Sequence, residues 1–114
     1  YQTHYAGSPS VIEGLMPPGV IFGAYSAFRQ KYADAPADYD KVYVYADKEV
    51  MAAISKRFPS REGYVNLIVL KSDVWLARFG PVTPDGQTLV DLWNLKDWYA
   101  KDYFNSLKSK LSVS

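Results

Sequence analysis

The chain has 114 residues, of which 48% are hydrophobic and 16% aromatic, and its 13 basic and 12 acidic residues leave a net charge of +1. This composition predicts one folded domain and excludes a disordered tail. The absence of cysteine excludes disulfides, thiolate zinc sites and cysteine nucleophiles.

Three further features restrict the class of protein. The single histidine, His4, lies near a terminus, which argues against a histidine metal site or a Ser-His-Asp triad. The balanced charge supplies no global attraction for nucleic acid, and no apolar run approaches the roughly 20 residues that span a bilayer. Together with the missing start methionine, these features predict a cytoplasmic domain, without cofactor or metal, that is part of a longer protein.

The chain divides into a predicted lead-in segment, residues 1–19, and a predicted globular domain, residues 20–114. Within the lead-in segment, Ser8 and Pro9 suit the N-cap and first position of a short helix. The apolar residues 20–22 predict a buried strand or the approach to a helix.

The next elements alternate between helix and strand. Residues 24–32 place apolar side chains at helical spacing, and residues 41–46 are rich in the β-branched and aromatic residues that favour strands. Asp47 suits the N-cap of a helix that continues to about Phe58. Residues 64–70 are almost continuously apolar, which predicts a strand in the centre of a sheet.

The C-terminal part predicts a third strand and a last helix. Residues 74–80 alternate in hydrophobicity and are predicted as the strand, 84–86 as a turn, and 87–94 as either helix or strand. Asp97 is predicted to open the last helix. The expected fold class is α+β or α/β, with a mixed sheet of about three to four strands that helices cover on at least one face.

One arrangement is similar to the metal site of the nucleotidyltransferase superfamily. Gly23 lies in a small-residue turn and is followed by Asp38 and Asp40, and such carboxylates hold Mg²⁺ in phosphoryl-transfer sites. The pattern departs from that superfamily because Ala24 replaces a small polar residue and Lys41 follows the second acid. A magnesium-dependent enzyme that uses Asp38 and Asp40 is therefore an alternative, and solvated loop acids are the simpler interpretation.

Aromatic residues supply two candidate binding surfaces. On the predicted strand, Tyr43 and Tyr45 share a face beside a lysine and could stack on single-stranded nucleic acid, unless a helix covers them. The C-terminal region carries Trp93, Trp98 and Tyr103 within a segment that has more aromatic residues than one packing stripe requires. Protein interfaces are rich in Trp and Tyr. This region is therefore predicted to bind a protein partner, with core packing as the alternative.

Several short motifs resemble a known family. They are GAYSAF before a helix, DYDKVYVYAD entering a strand, YVNLIVLKSD, and GQTLVDLWNL before the last helix. Together they resemble the C-terminal domain of AbiEi-like antitoxins, from the type IV toxin–antitoxin systems of abortive phage infection, and of related prokaryotic transcriptional regulators. Asp91, Leu92 and Leu95 loosely match the DLxxL-like segment of that family.

The resemblance implies a role without catalysis. In that family a winged-helix domain binds DNA and lies N-terminal to the domain that this chain resembles, so any DNA contact would come from a missing part of the protein. The chain itself would act by protein contact or self-association. The leading hypothesis is a non-enzymatic regulatory or interaction domain of a prokaryotic antitoxin or transcriptional regulator. The alternatives are a nucleotidyltransferase-like enzyme and a single-stranded nucleic-acid binding module.

Overall fold

The computed structural model describes residues 1–112, apart from the side chains of Val74 and Ala77. Within this range it contains four strands and six helices. The strands are β1 (Gln2–Thr3), β2 (Ile21–Gly23), β3 (Val42–Ala46) and β4 (Leu67–Lys71). The helices are α1 (Pro9–Gly14), α2 (Ala24–Tyr32), α3 (Lys48–Arg57), α4 (Val74–Ala77), α5 (Asp85–Asn94) and α6 (Ala100–Leu111).

The strands form one mixed sheet in the order β1-β4-β3-β2. Strands β3 and β4 are parallel, with Val44 opposite Val69, and α3 connects them. The two edge strands are antiparallel to their neighbours: β1 pairs with β4, and β2 pairs with β3. The expected α+β class with a small mixed sheet is confirmed, and so is the central position of β4. Residues 113 and 114 of the predicted domain lie outside the described residues.

Residues 1–19 are part of this fold. Strand β1 belongs to the sheet, and Ile12 of α1 is fully buried. The predicted start of α1 is confirmed, because the Ser8 side chain accepts a hydrogen bond from the backbone N–H of Val11 and Pro9 is the first helical residue.

Helices cover both faces of the sheet, and successive side chains of β3 point to opposite faces and so contribute to two cores. Val42 and Val44 pack with α1, α3 and β4 in an aliphatic core that contains Ile54. Tyr43 points to the opposite face and packs with α2, α5 and α6 in a second core. This second core is mostly aromatic, and its largest fully buried side chains are Tyr25, Phe28, Tyr99 and Tyr103.

The predicted strand at residues 74–80 is wrong. The Asp73 carboxylate accepts a hydrogen bond from the backbone N–H of Leu76 at 2.8 Å and caps the short helix α4. An alternating apolar pattern in so short a segment does not separate a strand from a helical turn, and here the local cap favours the helix.

The predicted turn at residues 84–86 is also wrong. Pro84 is the N-cap of α5, and its φ of −65° is the value that the proline ring imposes. The chain therefore continues as helix through residues 87–94. The last helix begins at Ala100, three residues after Asp97, because the Asp97 carboxylate binds groups from other elements and caps no helix.

Candidate interaction surface

Tyrosine hydroxyls that donate to carboxylates join the elements around the aromatic core. A buried tyrosine ring needs a partner for its hydroxyl, and seven of the ten tyrosines find an acid. The pairs are Tyr25–Asp97, Tyr43–Asp97, Tyr32–Asp85, Tyr39–Glu13, Tyr45–Asp91, Tyr64–Asp40 and Tyr99–Asp40.

Asp97 accepts hydrogen bonds from three side chains in different parts of the chain. Its Oδ2 accepts from the hydroxyls of Tyr25 at 2.8 Å and Tyr43 at 3.2 Å, and its Oδ1 accepts from Lys41 Nζ at 2.5 Å. The Asp97 side chain is only 9% exposed, and the lysine balances its charge. These contacts from α2 and β3 hold the connection between α5 and α6, which carries Trp98.

The two acids of the enzyme alternative have different surroundings. Asp40 accepts hydrogen bonds from the hydroxyls of Tyr99 and Tyr64, the latter at 3.0 Å. Asp38 is exposed. Across residues 1–112, no three His, Asp or Glu side chains form a group that could hold a metal ion. Asp40 thus anchors the loop before β3 to the aromatic core.

Gly23 serves the packing of a tyrosine ring. A Cβ at this position would lie 3.0 Å from Cε2 of Tyr45, closer than side chains normally approach. The Tyr45 hydroxyl donates to Asp91 at 2.7 Å, and Asp91 also accepts from Gln87 at 2.8 Å. The small residue that suggested a phosphate turn therefore makes room for β3 to contact α5.

The Tyr43 and Tyr45 face of β3 lies beneath helices. Both rings are partly buried, and their hydroxyls donate to Asp97 and Asp91. Lys41, which shares this face, is paired with Asp97. The three side chains that suggested a stacking surface for single-stranded nucleic acid thus contact α5 and the segment that follows it.

Sequence reasoning missed Glu13, a second buried acid that joins distant elements. Its side chain is 7% exposed, pairs with Arg29, and accepts from Tyr39 at 2.6 Å and from Ser26 at 2.5 Å. The signal in the sequence is a single acid next to the apolar Ile12, and nothing nearby in the chain identifies its partners. Glu13 attaches α1 to α2 and to the loop before β3.

Burial and the neighbouring acids change the acidity of the core tyrosines. Burial is the main reason that the pKa of Tyr25 lies far above its usual value, and the Asp97 carboxylate raises this pKa further. Burial also raises the pKa of Tyr103 to about 12. Burial raises the pKa of Asp91, against the effect of the hydrogen bonds from Tyr45 and Gln87.

The three C-terminal residues predicted to bind a partner fall into two groups. Trp93 is 71% exposed and Trp98 is 79% exposed, so both rings stand on the surface. Tyr103 is fully buried in the aromatic core, and its hydroxyl donates to the backbone oxygen of Ala37. A partner could therefore contact the two tryptophans directly, whereas Tyr103 supports the helix beneath them.

An open cleft of about 260 Å³ lies beside Trp93, between the end of α5 and the first turns of α6. Leu92, Leu95 and Phe104 supply its apolar lining. The ring of Trp93 packs against that of Phe104, with centroids 5.0 Å apart. The polar residues that line the cleft are Lys96, Asp97, Lys101 and Asn105. We call this region, together with the exposed Trp93 and Trp98, the tryptophan cleft.

A second exposed aromatic pair lies elsewhere on the molecule. Trp75 and Phe79 are 65% and 57% exposed, and the Arg78 guanidinium lies 4.8 Å from the centre of the Trp75 ring. The predicted strand at residues 74–80 assigned both aromatic side chains to a sheet, so sequence reasoning did not identify them as surface residues.

Comparison with protein families, curated proteins and solved structures finds no match to this chain. None of the helices within residues 1–112 combines the length and the apolar character needed to span a membrane.

Proposed function

We propose that the chain is a non-enzymatic interaction domain of a prokaryotic antitoxin or transcriptional regulator and that it binds a protein partner through the tryptophan cleft. The observation that carries this proposal is the exposed Trp93, which lines an apolar concavity, together with the exposed Trp98, which directly follows the lining residue Asp97 in the chain. Tryptophan is among the residues that most often dominate the binding energy at protein interfaces.

The surroundings of the two tryptophans support the same proposal. The Lys41–Asp97 pair and the two tyrosine hydroxyls on Asp97 hold the backbone between α5 and α6. A surface that is already ordered loses less conformational entropy when it binds. The tryptophan cleft is therefore suited to recognition without rearrangement of its backbone.

The assignment to an antitoxin or regulator rests on the sequence motifs that resemble AbiEi-like proteins. In such a protein, DNA would be bound by a winged-helix domain outside this chain, and the present domain would contact the toxin or a second regulator subunit in the cytoplasm. The near-neutral charge of the chain agrees with a domain that leaves DNA binding to another part of the protein.

The test is co-expression of this chain with the protein encoded beside its gene. We expect the two proteins to co-purify, and we expect the double variant Trp93→Ser/Trp98→Ser to lose the complex. Trp75→Ser is the matched control, because it removes an equally large exposed ring outside the tryptophan cleft. The proposal is wrong if the complex survives the double variant and is lost with the control.

The same preparation tests the enzyme alternative. If the chain transfers nucleotides in a reaction that requires Mg²⁺, and both Asp38→Asn and Asp40→Asn abolish it, the proposed interaction domain is wrong and the enzyme alternative is right. We expect no such activity, because Asp40 accepts two tyrosine hydroxyls as a structural acid.

A further inference from the structure

The tryptophan cleft has the size of a site for one large side chain. Its volume is about 260 Å³, whereas sites for cofactors and drug-sized ligands usually have about 300–1,000 Å³. Its lining includes the buried Leu92 and the partly buried Leu95 and Phe104, so its interior favours an apolar group. The structure therefore suits an apolar side chain of a partner better than a small organic cofactor.

The charge around this cleft is positive. Lys96 and Lys101 line it, and both are exposed. Across residues 1–112 neither lysine forms an ion pair. Asp97 also lines the cleft, but Lys41 neutralises its carboxylate at 2.5 Å. A partner thus meets two ammonium groups that form no ion pair within residues 1–112, next to an apolar concavity.

This charge disfavours a second copy of the chain as the occupant. A twofold interface brings the same patch of both subunits together. Such an interface would bring Lys96 and Lys101 of both copies, four ammonium groups in all, into one contact area. Like charges placed opposite each other at an interface oppose association, so the occupant is expected to bring acids.

Single-stranded nucleic acid fits the cleft less well. Such ligands follow a continuous basic groove over about four or more nucleotides. Here, two lysines surround one compact concavity, and the chain as a whole has a net charge of only +1. Carboxylates carried by a peptide supply the complementary charge within the dimensions of the cleft.

We infer that the tryptophan cleft binds an acidic segment of a partner protein, which inserts an aromatic or large aliphatic side chain beside Trp93 and places carboxylates near Lys96 and Lys101. This inference rests on the proposed function and adds the chemistry of the partner. The apolar anchor supplies affinity, and the carboxylates select the partner and speed its association.

The test uses the ¹⁵N-labelled chain and unlabelled synthetic peptides. The main probe has a central tryptophan with three glutamates on either side, and one matched peptide has alanine in place of the tryptophan. Another matched peptide has lysines in place of the glutamates, and a thymidine oligonucleotide tests nucleic acid. The three tryptophan indole N–H signals of the chain report the location of binding. We expect the acidic tryptophan peptide to shift the signals of Trp93 and Trp98 and to leave that of Trp75 unchanged.

Charge-reversal variants test the role of the lysines. The double variant Lys96→Glu/Lys101→Glu should lower the affinity for the acidic tryptophan peptide about tenfold at low salt, because two surface attractions become repulsions. The same variant should raise the affinity for the lysine peptide. Lys48→Glu is the control, since Lys48 is exposed at the start of α3 and a negative charge is tolerated there. An unchanged pattern of the other amide signals establishes that each variant is folded.

The outcomes separate this inference from the proposed function. If the lysine peptide binds at Trp93 and Trp98 as tightly as the acidic one, the inference is wrong and protein binding at this surface stands. If the oligonucleotide binds there more tightly than any peptide, both are wrong. If no probe shifts these signals, the inference fails, and co-expression with the neighbouring gene product decides the proposed function independently.

Discussion

Lys41, one residue before β3, forms an ion pair with Asp97, in the connection between α5 and α6, with 2.5 Å between Nζ and Oδ1. The two residues are 56 positions apart in the chain. Tyr25 and Tyr43 donate to the same carboxylate, so one acid holds side chains from α2, from β3 and from the residue before β3. Removal of this acid should therefore affect the whole aromatic layer.

We expect Asp97→Ala to lower the free energy of unfolding by about 3 kcal/mol, because it leaves two tyrosine hydroxyls and one ammonium group without their acceptor. Urea denaturation followed by circular dichroism measures this change. The control is Glu62→Ala, an exposed acid in a loop, which should change stability by less than about 0.5 kcal/mol. Equal effects of the two variants would contradict the structural role of Asp97.

Asp38 and Asp40 should differ in their effect on stability. Asp40→Ala removes an exposed carboxylate that accepts from the hydroxyl of the buried Tyr99 and should cost about 1 kcal/mol. Asp38→Ala removes an exposed acid outside the tyrosine–acid pairs and should change stability by less than about 0.5 kcal/mol. Thermal or urea denaturation of the two variants makes the comparison. A pair of acids that share a metal would instead repel each other in the apo protein, and both variants would then stabilise it.

The protein should lose stability at alkaline pH. Burial raises the pKa of several core tyrosines, including that of Tyr103 to about 12, whereas a tyrosine in the unfolded chain has a pKa of about 10. The fold thus favours the protonated form. This contribution is complete below pH ~10 and decreases as the pH rises toward the folded-state value.

Ultraviolet absorbance of tyrosinate and circular dichroism, recorded together from neutral to strongly alkaline pH, measure this effect. We expect the core tyrosines to ionise together with unfolding. The variant Tyr103→Phe should lose less stability than the wild-type protein over the same pH range, because phenylalanine lacks the hydroxyl whose pKa is raised on folding. Free titration of all ten tyrosines near their ordinary pKa in the folded protein would contradict the buried hydrogen-bonded core.

Trp93 and Trp98 should contribute little to folding. Trp98→Ser removes a ring that is 79% exposed, and its edge contact with Tyr99 is worth about 0.5–1.5 kcal/mol. Trp93→Ser removes the contact with Phe104 and should have a cost in the same range. Denaturation measures both variants. A much larger loss from either one would indicate that its ring stabilises the fold and is not available to a partner.

The helices and strands whose signals are local follow from the sequence. Asp47 accepts a hydrogen bond from the backbone N–H of Val50, as its position before an apolar helical pattern predicts. The alternation of Val and Tyr in β3 assigns these residues to opposite faces of the sheet. The excess of aromatic residues over one helical packing stripe predicts that Trp93 or Trp98 is exposed, and both are.

The site itself depends on contacts between distant residues. Asp97 has the sequence position of a helix cap, and only the approach of α2 and β3 makes it a buried acceptor for Tyr25, Tyr43 and Lys41. Glu13 depends in the same way on residues that lie 13 to 26 positions away. Caps and side-chain periodicity act over a few residues and can be read along the chain. The partner of a buried charge is selected by packing across the sheet, which the order of the residues alone does not specify.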